Sequence, residues 1–436
     1  MKISNYFLLI SGIAFFVSCE SRLTIRDANG VMGQTEAPVS KSLKLSESQL
    51  AVANEGRLGL TETIISSNER RTIPVQWEIS KSDKNSQAVI LLPSGDPGPR
   101  RLEWSELETK PKSVMHANQD HKSGQIILSD EGKPVLQYNY ETVYERDAID
   151  TLAANKYITA KSDTFMANPS IYAVARSNYI HPLYGPGGEI LTRDWSKDHP
   201  HHRGIYWAWP EVDFGSKRGD LHALQIVFAR PTGKIKLQSG PVFAQIEAEN
   251  LWMWKNTIPI VREVAVIRAY RSTSKGRIID LAFRFIALKD SVTIARRGTE
   301  HYGGLNVRMQ TPKNQHIAFT TDSSNLKPRR SWSDLSGLFA GAKATSGLMV
   351  IQHQKNPDYP GDWIQYPELS WVQPTFPASG TRYKLIPGKP LILRFRLFIH
   401  SGSQPNKALS VLLWDAFNSE LAPLPTFSFP ETEPAK

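Results

Sequence analysis

The chain is poor in cysteine, in methionine and in long apolar runs. Cys19 is the single cysteine among 436 residues, so a disulfide within the chain is excluded and the fold depends on its hydrophobic core. No segment has the roughly 18 consecutive apolar residues of a membrane-spanning helix. The seven methionines are scattered, which gives no support to a thioether copper site.

Several catalytic motifs are also missing. The sequence contains no Gly-x-Gly-x-x-Gly, no Walker loop, no His-Glu-x-x-His and no Gly-x-Ser-x-Gly, which disfavours dinucleotide, nucleotide and α/β-hydrolase chemistry. The formal net charge is +10, but the basic residues are dispersed, with arginine pairs such as those at 70–71, 296–297 and 329–330 among the densest groups. Dispersed charge is typical of a solvated surface, and we expect no nucleic-acid partner.

The N-terminal segment has the pattern of a secretory signal. Lys2 precedes a short apolar run that ends just before Cys19. A single cysteine after such a run resembles the lipobox of bacterial lipoproteins, in which cleavage leaves an acylated N-terminal cysteine. From this resemblance we expect a lipoprotein signal peptide at 1–18, a lipid anchor on Cys19 that makes the membrane a partner, and a tether at 19–57. By the same resemblance, Glu20 in place of an aspartate after the cysteine implies the outer membrane, on its periplasmic or surface face.

Short segments of alternating apolar and polar residues dominate the remainder. The segments at 135–140, 258–270, 278–288 and 391–399 alternate or nearly alternate, and those at 86–92 and 124–128 are short apolar runs ended by turn residues. Period-two alternation is typical of strands, and 29 prolines with 28 glycines supply the turns between them. The stretch at 406–420 has the pattern of a helix. Together these patterns predict an all-β protein, a large antiparallel β-sandwich with one C-terminal helix.

The domain organisation follows from these segments. We expect one β domain over 58–402. Its N-terminal part would cover 58–175, and its second part, at 176–402, would carry the histidine motif described next. The helix and a proline-rich tail would occupy 403–436.

Residues 181–209 contain four of the eleven histidines, together with two aspartates, two arginines and three tryptophans. Histidine titrates near neutral pH and is the commonest metal ligand, and tryptophan suits the apolar face of a sugar ring. If the segment is extended, alternate side chains share a face. One face would then carry His199, His201, Arg203, Trp207 and Trp209, and His202 would point to the other side.

This motif has three interpretations. The first is a metal site, because two histidines at i and i+2 on a strand can reach one ion. It would use His199, His201 and a third ligand, with His181, Glu300, His301 and His353 as candidates. The metal would be zinc or copper.

The second interpretation needs no metal and no other cofactor. A histidine with Asp194 or Asp198 nearby would act as general acid or base on a sugar hydroxyl or anomeric centre. Arg203 would hold a carboxylate or a developing oxyanion. The third interpretation is structural: Pro200 turns the chain and the histidines bind loops.

Two further segments carry candidate site residues. In the segment 300–308, Glu300 and His301 precede a glycine pair and Arg308, a composition that suits a loop close to a ligand. In the segment 353–363, Asn356 and Trp363 lie in a proline-rich loop that could form the wall of a sugar site.

These segments, in this order, resemble the bacterial family named PmoA-like, or "methane oxygenase PmoA". The likeness covers roughly residues 58–402. Its most specific part is Asp-His-Pro-His-His-Arg-Gly at 198–204, and the segments at 181–194, 300–308 and 356–363 also match. The chain has no membrane-spanning run, so the resemblance does not imply a methane monooxygenase subunit. Members of the family commonly accompany sugar-degrading proteins, which implies carbohydrate chemistry.

The arrangement of histidine and glutamate in separate strands also resembles the galactose-mutarotase-type double sheet, in which a histidine acts as acid and a glutamate as base. By analogy, we expect a carbohydrate or modified sugar to be processed by epimerase, lyase or hydrolase chemistry. His201 or His202 would be the acid and Glu300 the base. The remaining roles are charge stabilisation by Arg203 and Arg308, stacking by Trp207 and Trp209, and substrate contact by His181, Asp194, His199, His301, Asn356 and Trp363. The alternatives are a non-catalytic sugar-binding lipoprotein and a metal-dependent oxygenase or hydrolase that uses His199, His201 and His301.

Overall fold

The computed structural model describes residues 22–27, 31–64, 68–79, 85–94, 98–143, 174–196 and 199–431. The predicted signal peptide at 1–18, the predicted lipidation site Cys19 and the candidate Asp198 lie outside these ranges. Within them, no helix has the length and apolar character needed to cross a bilayer.

The described residues before 107 form two small antiparallel sheets and two short helices. The elements are β1 (Arg22–Asp27), α1 (Val31–Thr35), β2 (Pro38–Lys44), α2 (Glu47–Asn54), β3 (Leu58–Ile64), β4 (Glu69–Ile73), β5 (Gln76–Ile79), β6 (Asn85–Leu91) and β7 (Gly98–Glu106). The strand orders are β1-β7-β3-β4 and β2-β6-β5. Ser46 caps α2, because its hydroxyl accepts a hydrogen bond from the backbone N–H of Gln49 at 3.2 Å while the Gln49 side chain accepts one from the Ser46 N–H at 3.0 Å.

The tether predicted at 19–57 is wrong for residues 38–57. β2 pairs with β6 along its whole length, and α2 follows it. Ala37 and Val39 are buried in one apolar cluster with Leu60 and Val89. These side chains remove apolar surface from water and therefore anchor the segment to the fold instead of leaving it as a spacer.

The later elements are longer. They are β8 (Met115–Asp120), β9 (Gln125–Asp130), β10 (Lys133–Asn139), β11 (Tyr179–Leu183), β12 (Ile205–Ala208), β13 (Glu211–Phe214), β14 (Lys217–Gly219), β15 (Val227–Gln238), β16 (Phe243–Trp254), β17 (Ile258–Tyr270), β18 (Arg277–Ala287), β19 (Val292–Ala295), β20 (Gly304–Arg308), β21 (Lys313–Thr321), β22 (Ser331–Leu338), β23 (Ser346–Gln352), β24 (Trp363–Tyr366), β25 (Trp371–Pro374), β26 (Tyr383–Leu385), β27 (Leu391–Ser401) and α3 (Lys407–Asn418). Two single-turn 3-10 helices lie at Arg297–Thr299 and Pro367–Leu369.

Two eight-stranded antiparallel sheets form the body of the protein. We call β24-β25-β20-β12-β11-β10-β9-β8 the site sheet and β15-β16-β17-β18-β27-β23-β22-β21 the long sheet. Ile126 and Leu128 of the site sheet lie in one apolar cluster with Ile246 and Phe285 of the long sheet. The predicted antiparallel β-sandwich is therefore confirmed. The boundary expected at residue 175 falls inside the site sheet, because β8, β9 and β10 pair on to β11 and β12.

The predicted C-terminal helix is confirmed as α3. Asn406 caps it by accepting a hydrogen bond from the Leu409 N–H at 2.9 Å. Its apolar side packs on the outer face of the long sheet, where Trp414 and Phe417 join Phe398 in the same cluster as the buried N-terminal residues. The outer face of the long sheet is thus covered, while the site sheet supplies the functional candidates.

Candidate functional site

The histidine motif lies in the loop between β11 and β12. The extended conformation considered for this segment is wrong, and the turn at Pro200 of the third interpretation is present, where the His202 N–H donates to the His199 carbonyl at 2.9 Å. Gly204 closes the loop at a positive φ of 56°, and a Cβ there would lie 2.2 Å from the Ile180 carbonyl oxygen. The turn therefore brings His202 to the same side as His201, which corrects the predicted separation of the two.

Three buried histidines converge at this turn. Ring nitrogens of His201, His202 and His222 all lie within 4.8 Å of one another. The ring centroids are 4.7 Å apart for His201 and His202, 4.6 Å for His201 and His222, and 5.2 Å for His202 and His222. We call these three residues the histidine cluster. The His199 ring is 4.8 Å from that of His202, at its margin.

His222 was not among the sequence candidates. It lies in the turn after β14, where the N–H groups of Leu221 and His222 both donate to the carbonyl of Trp209. The guanidinium of Arg176 donates to the carbonyls of Leu221 and His222 at 2.6 and 2.7 Å and so fixes the same turn. The available sequence signal was Asp220, two residues before His222. The other members of the histidine cluster, His201 and His202, come from a different segment of the chain.

The histidine cluster is poised to be neutral. Burial lowers the pKa of His201, His202 and His222 well below the usual histidine value, and neighbouring histidines and guanidinium groups act in the same direction. Neutral imidazoles carry a free lone pair, which is the form that binds metal ions. The burial of these three side chains therefore keeps them in the neutral form that can bind a metal ion.

Tyr206 orients one member of the cluster. Its hydroxyl lies 3.0 Å from Nδ1 of His222, which leaves Nε2 of that ring for another partner. Burial raises the pKa of Tyr206, so the hydroxyl stays protonated, and the Arg176 guanidinium lies 4.2 Å from the Tyr206 ring centroid. A second hydrogen-bond partner on a metal-binding histidine is the usual way in which its tautomer and ring orientation are fixed.

An aromatic wall borders the cluster, formed by Trp371, Tyr302 and Tyr366. The Trp371 ring is 4.7 Å from that of His202, and the Tyr302 ring is 5.4 Å from that of His222. Tyr302 and Tyr366 pack on Trp371 at 5.3 and 4.9 Å. Trp371 is buried, whereas the two tyrosines are half-buried, so the wall leads from solvent towards the histidines.

An ion pair lies beside the wall. Nη2 of Arg297 donates to Asp220 at 2.8 Å, and its Nε donates to the Tyr302 hydroxyl at 3.3 Å. Asp220 also accepts a hydrogen bond from the Ala223 N–H at 2.8 Å, and burial raises its pKa to about 6. The pair connects the turn that carries His222 to the 3-10 helix Arg297–Thr299.

Residues 125–413 match the model of a family of unknown function, DUF6807. The chain belongs to this family. The matched region runs from β9 into α3 and contains the whole histidine cluster. No curated protein matches the chain. Among solved structures, an alpha-mannosidase from Enterococcus faecalis V583 aligns with 90% of this chain and 45% of its own, at 7% identity and a TM-score of 0.34. The chain thus spans less than half the length of that protein.

In this DUF6807 protein, several predicted residues lie next to the cluster without joining it. Arg203 donates to Asp194 at 3.1 Å, and the Tyr179 hydroxyl donates to the same carboxylate at 3.0 Å. His181 pairs through Nδ1 with the hydroxyl of Thr192 at 3.0 Å. These contacts hold the histidine loop against the site sheet and give Arg203, Asp194 and His181 a positioning role.

The predicted stacking floor is wrong. Trp207 and Trp209 are 3% and 0% exposed and belong to the core between the two sheets, where their rings stack at 4.6 Å. The Trp209 indole N–H donates to the Phe376 carbonyl at 2.7 Å. Since alternate residues of β12 face opposite sides, Tyr206 points to the site and Trp207 to the core.

The predicted base and third metal ligand also lie elsewhere. Glu300 and His301 are exposed, and their backbone groups form hydrogen bonds with Arg296 and Arg297. Neither is a member of the histidine cluster, so the predicted ligand set His199, His201 and His301 keeps only His201. Arg308 is buried and donates to the Ser196 hydroxyl at 3.3 Å, close enough for its charge to lower the pKa of His202.

The third predicted segment has a structural role. His353 packs 5.0 Å from Phe417 of α3, and burial lowers its pKa to about 3. The Asn356 side chain donates to the Arg394 carbonyl at 2.9 Å and accepts from the Arg394 N–H at 2.8 Å, a pairing that fastens its loop to β27. The Trp363 indole N–H donates to Ser331 at 2.9 Å. These contacts account for His353, Asn356 and Trp363 without a ligand.

Proposed function

We propose that the protein is a metal-dependent enzyme that acts on a carbohydrate or modified sugar. His201, His202 and His222 would hold the metal. The observation that carries the proposal is the convergence of three buried imidazoles, with ring nitrogens within 4.8 Å of one another. Three histidines are the protein ligands of one common type of catalytic zinc site, in which a fourth position stays open for water or substrate.

The donor set narrows the choice of metal. Imidazole nitrogen suits zinc, copper, iron and nickel, whereas calcium and magnesium prefer oxygen ligands. Among these, zinc and copper are our candidates. When bound, such an ion supplies Lewis-acid polarisation of a substrate oxygen and lowers the pKa of a bound water. The chain itself contributes the fixed ring of His222, held by Tyr206, and the burial of the three histidines away from water.

The aromatic wall supports a sugar as the substrate. Tyr302 and Tyr366 are half-buried, and they offer ring faces and hydroxyl groups beside the histidine cluster. Aromatic rings pack on the apolar faces of sugars while their polar tips bind hydroxyls. Tyr302 and Tyr366 would therefore do the stacking that the sequence assigned to Trp207 and Trp209. We keep the proposal of a carbohydrate substrate and change only the residues that bind it.

Metal analysis tests the proposed function. Protein purified without chelators is expected to contain about one zinc or copper ion per chain, since a three-histidine site holds its metal well. Treatment with EDTA should remove the ion and lower the melting temperature, and zinc should restore it. A metal content below about 0.2 per chain in freshly purified protein would contradict the proposal.

We also propose that the protein works at the cell envelope, anchored through Cys19. Its short apolar run and following cysteine support this placement. The chain expressed in a Gram-negative host is expected in the membrane fraction, and Cys19→Ser is expected to shift it to the soluble fraction, because the acylated residue is lost. Equal fractionation of both proteins would contradict the anchor.

A further inference from the structure

We call Arg297 and Tyr302 the mouth of the site, because these partly exposed side chains lie between solvent and the buried histidine cluster. Arg297 is 39% exposed at the side chain, and its Cζ lies 5.8 Å from the centroid of the Tyr302 ring. The Tyr302 ring in turn lies 5.4 Å from the His222 ring. Tyr302 therefore packs between Arg297 and the histidine cluster.

Arg297 still has hydrogen-bonding capacity. Its bonds to Asp220 and Tyr302 use Nη2 and Nε, and Nη1 has no hydrogen-bond partner among the described residues. The neighbouring Arg296 differs, since all three of its nitrogens are engaged with Asp362 and with the carbonyls of Glu300 and His301. Arg296 thus folds the turn, while Arg297 holds a partly exposed guanidinium at the mouth.

The charge around the site favours an anion. Asp220 pairs with Arg297, and the buried Arg176 binds backbone carbonyls and the Tyr206 ring, so its charge lies close to His222 without a carboxylate contact in the described structure. Burial lowers the pKa of Arg176 to about 10, and it stays cationic at neutral pH. A divalent ion on the histidine cluster would add further positive charge to this buried region, which a bound anion would offset.

We infer that the substrate is a sugar that carries a carboxylate, such as a hexuronate, and that Arg297 is the residue that selects it. The inference rests on the proposed metal-dependent function. The guanidinium binds the carboxylate at the mouth, the sugar ring packs on Tyr302, and a hydroxyl or carbonyl oxygen faces the histidine cluster. Nη1 of Arg297 would donate to the carboxylate, and such charge-assisted hydrogen bonds are about twice as strong as neutral ones.

Calorimetry on the zinc-loaded full chain tests the inference. The ligands are D-glucuronate, D-galacturonate, D-glucose, D-galactose and glucose 6-phosphate, each at physiological salt. We expect at least one uronate to bind about tenfold or more tightly than its neutral counterpart, because a charged hydrogen bond is gained. Equal dissociation constants for uronates and neutral sugars would overturn the inference, as would tighter binding of glucose 6-phosphate.

Variants at Arg297 test whether this residue causes the preference for uronates. Arg297→Met is expected to abolish the preference for the uronate, and Arg297→Lys, which keeps the charge beside Asp220, is expected to retain part of it. Arg71→Met is the matched control, since Arg71 is also a partly exposed arginine that binds a buried carboxylate, Glu62, at 2.7 Å. A preference that persists in folded Arg297→Met would overturn the role of Arg297.

Metal content is measured in the same samples, so the two proposals can fail separately. About one ion per chain without a uronate preference would refute the substrate class and leave the metal-dependent function standing. A uronate preference that depends on Arg297 in protein unable to bind metal would support the substrate class and refute the metal.

Discussion

Replacing His222 by alanine is expected to reduce bound zinc from about one ion per chain to below about 0.2, and to remove the stabilisation of the fold by zinc. Two histidines are left in that variant, and a two-ligand site binds much more weakly than a three-ligand one. The measurement is elemental analysis together with melting temperatures with and without zinc. His222 is the decisive position because its turn is held by Arg176 and Trp209, so truncation of the ring should leave the turn in place.

His301→Ala is the matched control for this prediction. His301 was the third ligand in the sequence-based alternative, but it is exposed and outside the histidine cluster. We expect this variant to retain its metal and its response to zinc. If His301→Ala lost the ion while His222→Ala kept it, the cluster assigned here would be wrong and the ligand set inferred from the sequence would be right.

Much of the fold could be predicted from local patterns. The alternating segment at 258–270 coincides with β17, and 391–399 falls within β27, because each strand turns one side to the core between the sheets. The helix predicted at 406–420 corresponds to α3, since its apolar side is also a local signal. An element that buries one face carries a periodic pattern of apolar residues, and this pattern can be seen in the local sequence.

The tether prediction was wrong for residues 38–57 because the burial of this segment depends on a distant strand. Residues 38–44 have a mixed composition that resembles a polar spacer. Val39 is nevertheless buried, because β2 pairs with β6 and Val39 packs against Leu60 and Val89. Pairing with a strand more than 40 residues later leaves little mark on local composition. The local sequence therefore does not show that such a segment is buried, because the partner strand provides the burial.

The candidate site was predicted in part. His201 and His202 were identified from their density, but Pro200 lies in a turn and not in a strand, so the face predicted for each was wrong. His222 and Trp371 were missed because they reach the cluster from other segments, the turn after β14 and the strand β25. Contacts between segments far apart in sequence are set by sheet order, which local motifs do not specify.

Replacing Arg396 by methionine is expected to lower the free energy of unfolding by about 3–5 kcal/mol, because it leaves a buried carboxylate without its cation. Arg396 on β27 lies opposite Asp280 on β18, and both side chains are fully buried. Nε and Nη2 of the arginine donate to the two carboxylate oxygens at 2.6 and 2.8 Å, and the Tyr270 hydroxyl donates to Asp280 at 3.1 Å. Urea denaturation of wild type and variant measures the loss.

A second variant separates the lost ion pair from lost packing. In the double variant Asp280→Leu with Arg396→Met, no charge remains to be desolvated, so most of the stability should return, as it often does when a buried pair is replaced by apolar residues. Arg57→Met, at the exposed pair with Glu55, should change the unfolding free energy little. If the double variant were as unstable as Arg396→Met, the loss would come from packing against Phe417, which lies 4.6 Å from the guanidinium, and the electrostatic account would fail.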